Sequence, residues 1–398
     1  MLLTSATLAD GSVVDVRVCL DLIDSVGATL SAQPGEQIID LSGHLLLASF
    51  GEPHAHLDKA FLSERIANHT GDLMGAITAM EANRHLITLD DTIERAERAV
   101  RLMVGNGATS IRTHADTTLE TGLMSVQALA EVRRRTADIC NLEVVALVSW
   151  PVTGSDGVNS RALLRDALQA GADLVGGCPH LDDDPTGAND VLLSIAAEFG
   201  RGVDLHTDET LEPSKLSLED LAHRVVSSGF AHGVTASHCV SLGVQSEVRQ
   251  NEIAAAVAAA GISVVALPHT NMFLQGRSHQ QSMPRAITAV KALRNAGVNV
   301  CAGADNLQDP FNPMGRGAPL ETGSLMVMLA HLLPDDAIAA ISTNVRTAMG
   351  QRGVTVSAGS SADLVALDVR SPREALAFGP TPRLVMYRGR VVASTHVR

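Results

Sequence analysis

Aromatic residues are scarce, with seven Phe, one Trp and one Tyr in 398 residues. So few ring faces leave little with which to stack the bases of a single-stranded nucleic acid, and the core has to be built from Ala, Val, Leu and Gly. Positive charge is short as well: 30 Lys plus Arg stand against 44 Asp plus Glu, a net charge of −14. Such a surface excludes electrostatic binding to nucleic acid or to an anionic membrane, so a small molecule or a protein is the expected partner. The five cysteines are odd in number, widely spaced and form no CxxC pair, which argues against a disulfide framework and a thiolate zinc site and for reduced thiols in a cytoplasm. Long apolar runs are missing too. The longest, Ile253 to Leu267, has 15 residues and is broken by Gly261, short of the roughly 20 needed to span a bilayer. Met1 to Asp10 lacks the basic and apolar regions of a secretory leader. What is present is 45% hydrophobic residues with 19% charged, enough to exclude a disordered chain and to predict a soluble cytoplasmic protein.

Both ends of the chain alternate. Val14-Asp15-Val16-Arg17-Val18, with turns at Asp10-Gly11 and Pro34-Gly35, and later Asp363 to Leu367, Leu384 to Tyr387 and Val391-Val392, read as half-buried strands. Between about Leu45 and Gly350 the rhythm changes to an amphipathic helix, a Gly, then a short apolar run. Gly107, Gly171, Gly229, Gly261 and Gly297 hold the helix-ending place. The runs are Leu45–Phe50, Ser110–His114, Glu143–Val148, Asp173–Gly177, Gly202–Leu205, Val234–Ser237, Ser263–Leu267 and Val298–Gly303. Eight strands alternating with helices give an α/β fold with the count of a (β/α)8 TIM barrel; a doubly wound sheet has the same rhythm. The expected organisation is a barrel over residues 48–352 and a small discontinuous β-sandwich domain from residues 1–47 and 353–398.

Polar residues recur where these runs stop, which in a barrel is the catalytic face. His54 and His56, His114 and Asp116, His180, His206 to Glu209, His238, His269, and Asp305-Asn306 all stand at such ends. His54-x-His56 is the sharpest signal, because alternate residues of an extended segment point the same way and bring two imidazoles to one cation. With His206 and Asp305 they make a ligand set for Zn2+ or Fe2+ that leaves a position for water. Glu209, three residues after His206, could move protons between that water and a substrate, or instead form a salt bridge at the start of a helix over Ser217–Ser228. His238 could orient the water or stabilise developing charge, and Asp305 could serve as ligand and base. His114, His180 and His269 are open between substrate contact and support of the ligands. Asp182-Asp183-Asp184 reads as a solvated turn.

His54-x-His56-Leu57-Asp58, Arg112-Thr113-His114-x-Asp116, His206-x-Asp208-Glu209, Thr235-x-Ser237-His238, Leu274-Gln275-Gly276-Arg277 and Asp305-Asn306-x-x-Asp309-Pro310 together resemble the amidohydrolase superfamily, and within it the cytosine deaminase branch. The resemblance covers almost the whole chain. It implies a single divalent metal on His54, His56, His206 and Asp305, since the bridging Lys of binuclear relatives has no counterpart between Asp173 and Asp184. It also implies that Glu209 shuttles protons to a ring nitrogen while His238 polarises the attacking hydroxide.

Two departures point away from cytosine itself. The family's Gln after strand 3 is replaced by Val148-Ser149-Trp150-Pro151-Val152 in a longer loop, and the Asp after the strand 8 ligand is Asn306, which donates as well as accepts. Ser149, Trp150, Asn306 and Phe311 are therefore the candidate substrate contacts, Trp150 as a wall of the pocket. The function expected is deamination of an amino-substituted heterocycle of pyrimidine, pterin, purine or triazine type by metal-hydroxide attack, with release of ammonia. An N-dealkylating triazine-type or other C–N hydrolase is the alternative, and a non-catalytic barrel subunit the second. The resemblance also points to a homo-oligomer.

Overall fold

Parallel strands buried on both faces read as near-continuous apolar runs and need helices as cover, and the computed structural model, which describes residues 1–395, arranges the middle of the chain in that way. Eight parallel strands pair in sequence order. They are β1 (Phe50–Ala55), β2 (Ala108–Thr117), β3 (Asn141–Val148), β4 (Leu174–Gly176), β5 (Val203–Thr207), β6 (Val234–His238), β7 (Ser263–Ala266) and β8 (Val300–Ala302). A parallel bridge between Ala55 and Asp305 joins the last strand region to the first, so the sheet closes into the expected TIM-like barrel.

The helix that precedes β2 shows how sequence produces each unit. Leu89–Gly105 begins at Thr88, whose hydroxyl accepts from Asp91 N–H, and has Asp90 and Asp91 in its first turn, where carboxylates complement the helix dipole. Thr92, Arg95, Ala96, Ala99, Val100, Met103 and Val104 form its buried stripe, the i, i+3, i+4 spacing of a helix lying on a core. Gly107 then turns the chain at φ +97°. A Cβ at that position would lie 2.8 Å from the Phe50 ring, so both the backbone conformation and the close approach to β1 require Gly.

The chain ends form a separate mixed sheet of eight strands. Its junction is Leu45–Ala48, antiparallel to Leu364–Leu367 with Leu46 opposite Ala366, so the N- and C-terminal segments become one sheet. It has its own core of Leu3, Val16, Ile23, Leu46, Leu364 and Met386. One expected strand thus divides: Leu45–Ala48 belongs to this sheet and the barrel begins only at Phe50. Ser49, between them, is pinned by the buried Arg346, which donates to its Oγ at 2.7 Å and to Asp363 at 3.3 Å. Residues 396–398, the end of the expected terminal domain, lie outside the described residues. No helix among the described residues is long and apolar enough to cross a membrane, and the five cysteines are unpaired.

Candidate metal centre and active site

The end of β1 and the end of β8 meet at the candidate ligands. Asp305 N–H donates to the His54 carbonyl at 3.1 Å, and its Oδ1 stands 3.3 Å from His56 Nε2 and 3.8 Å from His54 Nε2. From β5, His206 brings Nε2 to 3.2 Å from that of His54 and 3.1 Å from that of His56. Asp305 (φ +67°) and His238 (φ +69°) both turn at the strand ends in the left-handed region, which costs a non-Gly residue on the order of 1–2 kcal/mol. That strain aims two polar side chains at one point.

A divalent cation fits this donor set. Three imidazole nitrogens converge, and both Asp305 oxygens are buried without a hydrogen-bond partner among the described residues. Burial pushes His54 down to about 3, and His56 and His206 well below the ordinary imidazole range, so all three are neutral, the form that ligates. Burial, with Glu209, Asp309 and Glu52 nearby, pushes Asp305 well above its usual value; positive charge at the cluster opposes that shift.

Beneath the ligands a relay sets the ring of His54. Asp204 accepts from Arg112 Nη1 at 2.9 Å and from Ser237 Oγ at 2.9 Å. With its hydroxyl hydrogen committed to Asp204, Ser237 can only accept from His54 Nδ1, 2.9 Å away. The proton therefore sits on Nδ1 and the lone pair on Nε2, toward the ligand cluster. Although burial raises a carboxyl, His114, His54 and Arg112 around Asp204 hold it well below the usual carboxylate range. Its oxygens are thus already partnered, which makes the nearby His54, His114 and Asp204 group a counter-charge arrangement and not a second metal site. His238 is fixed in the same manner, by donating Nδ1–H to Asn271 Oδ1 at 3.0 Å, which leaves its Nε2 lone pair 3.9 Å from Asp305 Oδ2.

Glu209 lies 3.6 Å from His238 Nδ1 and is 7% exposed, and burial pushes its carboxyl up to about 8. The following helix is capped instead by Asp208, which accepts from Ser217 N, Ser217 Oγ and Leu218 N at 2.9, 2.6 and 3.0 Å. Glu209 is thereby left facing a cavity of about 350 Å³ that His56, His206, His238 and Asp305 also line. Ser149, Trp150, Asn306 and Phe311 line the same cavity. Asn306 is partly engaged elsewhere, donating to Asp309 at 2.8 Å and accepting from Thr270 at 3.3 Å.

The three open histidines do not line the cavity. His114 lies 3.9 Å, ring to ring, from His54; His180 Nδ1 donates to the His206 carbonyl at 3.1 Å; His269 pairs with Thr322 at 3.1 Å. The expected solvated turn needs correction. Asp182 is buried and accepts from Val152 N at 2.7 Å and Thr153 Oγ1 at 2.5 Å, so it anchors the loop that carries Ser149 and Trp150. Asp184 caps the helix Pro185–Glu198.

An amidohydrolase family model matches residues 62–393, and a pterin deaminase of Rhizobium rhizogenes is 34% identical over 363 residues, 89% of this chain and 82% of that protein. The chain belongs to the amidohydrolase family. Among solved members, a 5-methylcytosine deaminase from Klebsiella pneumoniae liganded with 5-fluorocytosine aligns with a TM-score of 0.91 at 29% identity, over 100% of this chain and 98% of that one. An N-isopropylammelide isopropylaminohydrolase from Burkholderia multivorans aligns with a TM-score of 0.87, also at 29% identity, over 99% and 98%.

Within this family member, sequence reasoning gave no task to Lys59, Asn271 and Glu52, and placed Asp116 at a strand end without one. Lys59 had a signal, as one of three lysines in the chain and the one that directly follows the His54-x-His56-Leu57-Asp58 motif. Glu52 Oε2 accepts from Ala304 N at 2.9 Å and joins β1 to the end of β8. Its role, like that of Asn271, emerges only from the closure of the barrel.

Proposed function

We propose that the protein is a metal-dependent aminohydrolase that converts an amino-substituted N-heterocycle to its oxo form. The division expected from the sequence, a catalytic barrel over residues 48–352 and a sheet domain over residues 1–47 and 353–398, is kept as the reading, with Ala48 moved to the sheet domain because it pairs with Leu364. His54, His56, His206 and Asp305 would hold one divalent cation, Zn2+ or Fe2+. When bound, such a cation supplies Lewis-acid activation of water. The observation that carries the reading is Glu209, a carboxyl without a structural partner, raised to about 8 by burial and facing the cavity beside the convergent histidines.

A carboxyl of that pKa holds its proton at neutral pH and can deliver it to a ring nitrogen. His238, with its lone pair on Nε2, accepts or orients a proton on the Asp305 side. Water adds its oxygen to the ring carbon that bears the exocyclic amine; of its two protons, one replaces the proton that Glu209 gave to the ring nitrogen and the other passes to the amine, so the C–N bond breaks with ammonia leaving and the oxo ring remaining. Ser149, Trp150, Asn306 and Phe311 would bound the ring. Unpaired cysteines suit a cytoplasmic setting.

An N-dealkylating hydrolase is a second reading, since the chain is as similar in sequence to the isopropylaminohydrolase as to the 5-methylcytosine deaminase, at 29% identity to each. Products separate the two. Metal-loaded protein incubated with aminated pyrimidines, pterins, purines and triazines is expected to release ammonia; release of alkylamine alone, from N-alkylated triazines, supports dealkylation.

A further inference from the structure

Lys59 is one of three lysines in the chain, it is 4% exposed, and the chemistry above gives it no task. Its Nζ donates to Asp116 Oδ1 at 2.6 Å and lies 3.1 Å from His56 Nδ1 and 3.7 Å from Asp58 Oδ1. Both Lys59 and Asp116 line the cavity. The Asp116 side chain is 26% exposed there, and Lys59 provides the only side-chain hydrogen bond to its carboxylate among the described residues. A buried ammonium is costly unless its hydrogens find acceptors, and Asp116 takes one of the three on Lys59.

Placement in the barrel says which part of a substrate they meet. Glu209 and His238 come from β5 and β6, and Lys59 and Asp116 from the end of β1 and from β2, across the mouth of an eight-stranded ring. A ring held with its amine-bearing carbon and one flanking nitrogen toward Glu209 turns its other flank, with the second ring nitrogen and the carbon beyond it, to Lys59 and Asp116. One further hydrogen is free for that edge. Were His56 to hold a cation through Nε2, its ring proton would stand on Nδ1, and Nδ1 would not accept the Lys59 N–H 3.1 Å away.

We infer that Lys59 and Asp116 form a donor–acceptor pair that selects rings carrying a lactam edge, the ammonium donating to the ring carbonyl and the carboxylate accepting from the adjacent ring N–H. This rests on the function proposed above and narrows its substrate class.

The test is direct binding to zinc-loaded protein by calorimetry, with two matched pairs of rings: isocytosine against 2-aminopyrimidine, and 2-amino-4-oxopteridine against 2-aminopteridine. A hydrogen bond to a charged group should favour the oxo ring of at least one pair by about 10- to 100-fold in Kd. Methylation of the ring N–H should weaken the preferred oxo ring by a similar factor. Lys59→Met should bring the two rings of that pair within about threefold of each other, whereas a residue that only supports the fold would weaken both alike. Equal affinities in both pairs, no binding of either oxo ring, or a preference that survives Lys59→Met overturns the inference. Should Lys59→Met fail to fold, the ligand series on unaltered protein decides alone. Failure of the proposed function reads out separately, as absence of ammonia from every ring, including rings that bind.

Discussion

Glu209→Gln separates proton transfer from everything else at the site. The amide has the volume of the carboxyl, and burial is the whole cause of the shift in Glu209, so no ion pair or hydrogen-bond network is broken by the exchange. Glu209 is also absent from the groups whose ligand atoms converge, so metal content should not change. What is lost is a proton that can be given up. General acid–base groups contribute about 10²- to 10⁴-fold, equivalent to about 3–5 kcal/mol in the barrier, and kcat should fall by that factor. The assay is coupled ammonia release under saturating substrate, with the metal:protein ratio measured on the same preparation. A kcat within about threefold of the unaltered enzyme would refute the role, and loss of metal from Glu209→Gln would show that the carboxylate belongs to the ligand set.

The same residue makes a pH prediction. Its folded pKa, about 8, exceeds the ordinary 4.5, so the folded chain holds a proton that the unfolded chain has released, and its contribution to stability declines as pH rises from about 4.5 to about 8. In chelator-treated protein, the Tm of Glu209→Gln should therefore gain on the unaltered chain across that window and level off above it; a constant difference refutes the shift. Ser237→Ala removes the acceptor that fixes His54 Nδ1–H and should weaken metal affinity by about 10- to 100-fold, measured by competition with a chromogenic chelator; unchanged affinity would exclude the relay. Asp182→Ala leaves Val152 N–H and the Thr153 hydroxyl without their acceptor, and should cost about 1–3 kcal/mol in denaturant unfolding and raise KM more than it lowers kcat. A neutral effect would return Asp182 to the solvated turn read from sequence.

Periodicity and glycine placement made the barrel legible, because helix-to-strand joints need a left-handed residue. Gly107, Gly171, Gly229, Gly261 and Gly297 all have positive φ. The extended His54-x-His56 segment and the strand-end positions of His206 and Asp305 pointed to one cluster for the same reason: a parallel barrel directs its strand ends to one face. Less legible were residues whose task depends on neighbours distant in sequence. Asp182 looked like part of an acidic turn until the β3 loop was seen to fold onto it, and Asp208, not Glu209, takes the helix-capping task that a sequence alone could assign to either. Lys59 was visible as a residue but not as a pair, since its partner Asp116 lies 57 positions away.

The measurement that tests the account most directly is ammonia release from the heterocycle panel by zinc- or iron-loaded protein, run beside His206→Ala and beside chelator-treated enzyme. Ammonia should appear in step with formation of the oxo ring from the loaded enzyme, none should appear after chelation, and His206→Ala should lose both activity and bound metal. Loaded protein that releases no ammonia from any ring, or His206→Ala that keeps the full metal:protein ratio, would contradict it.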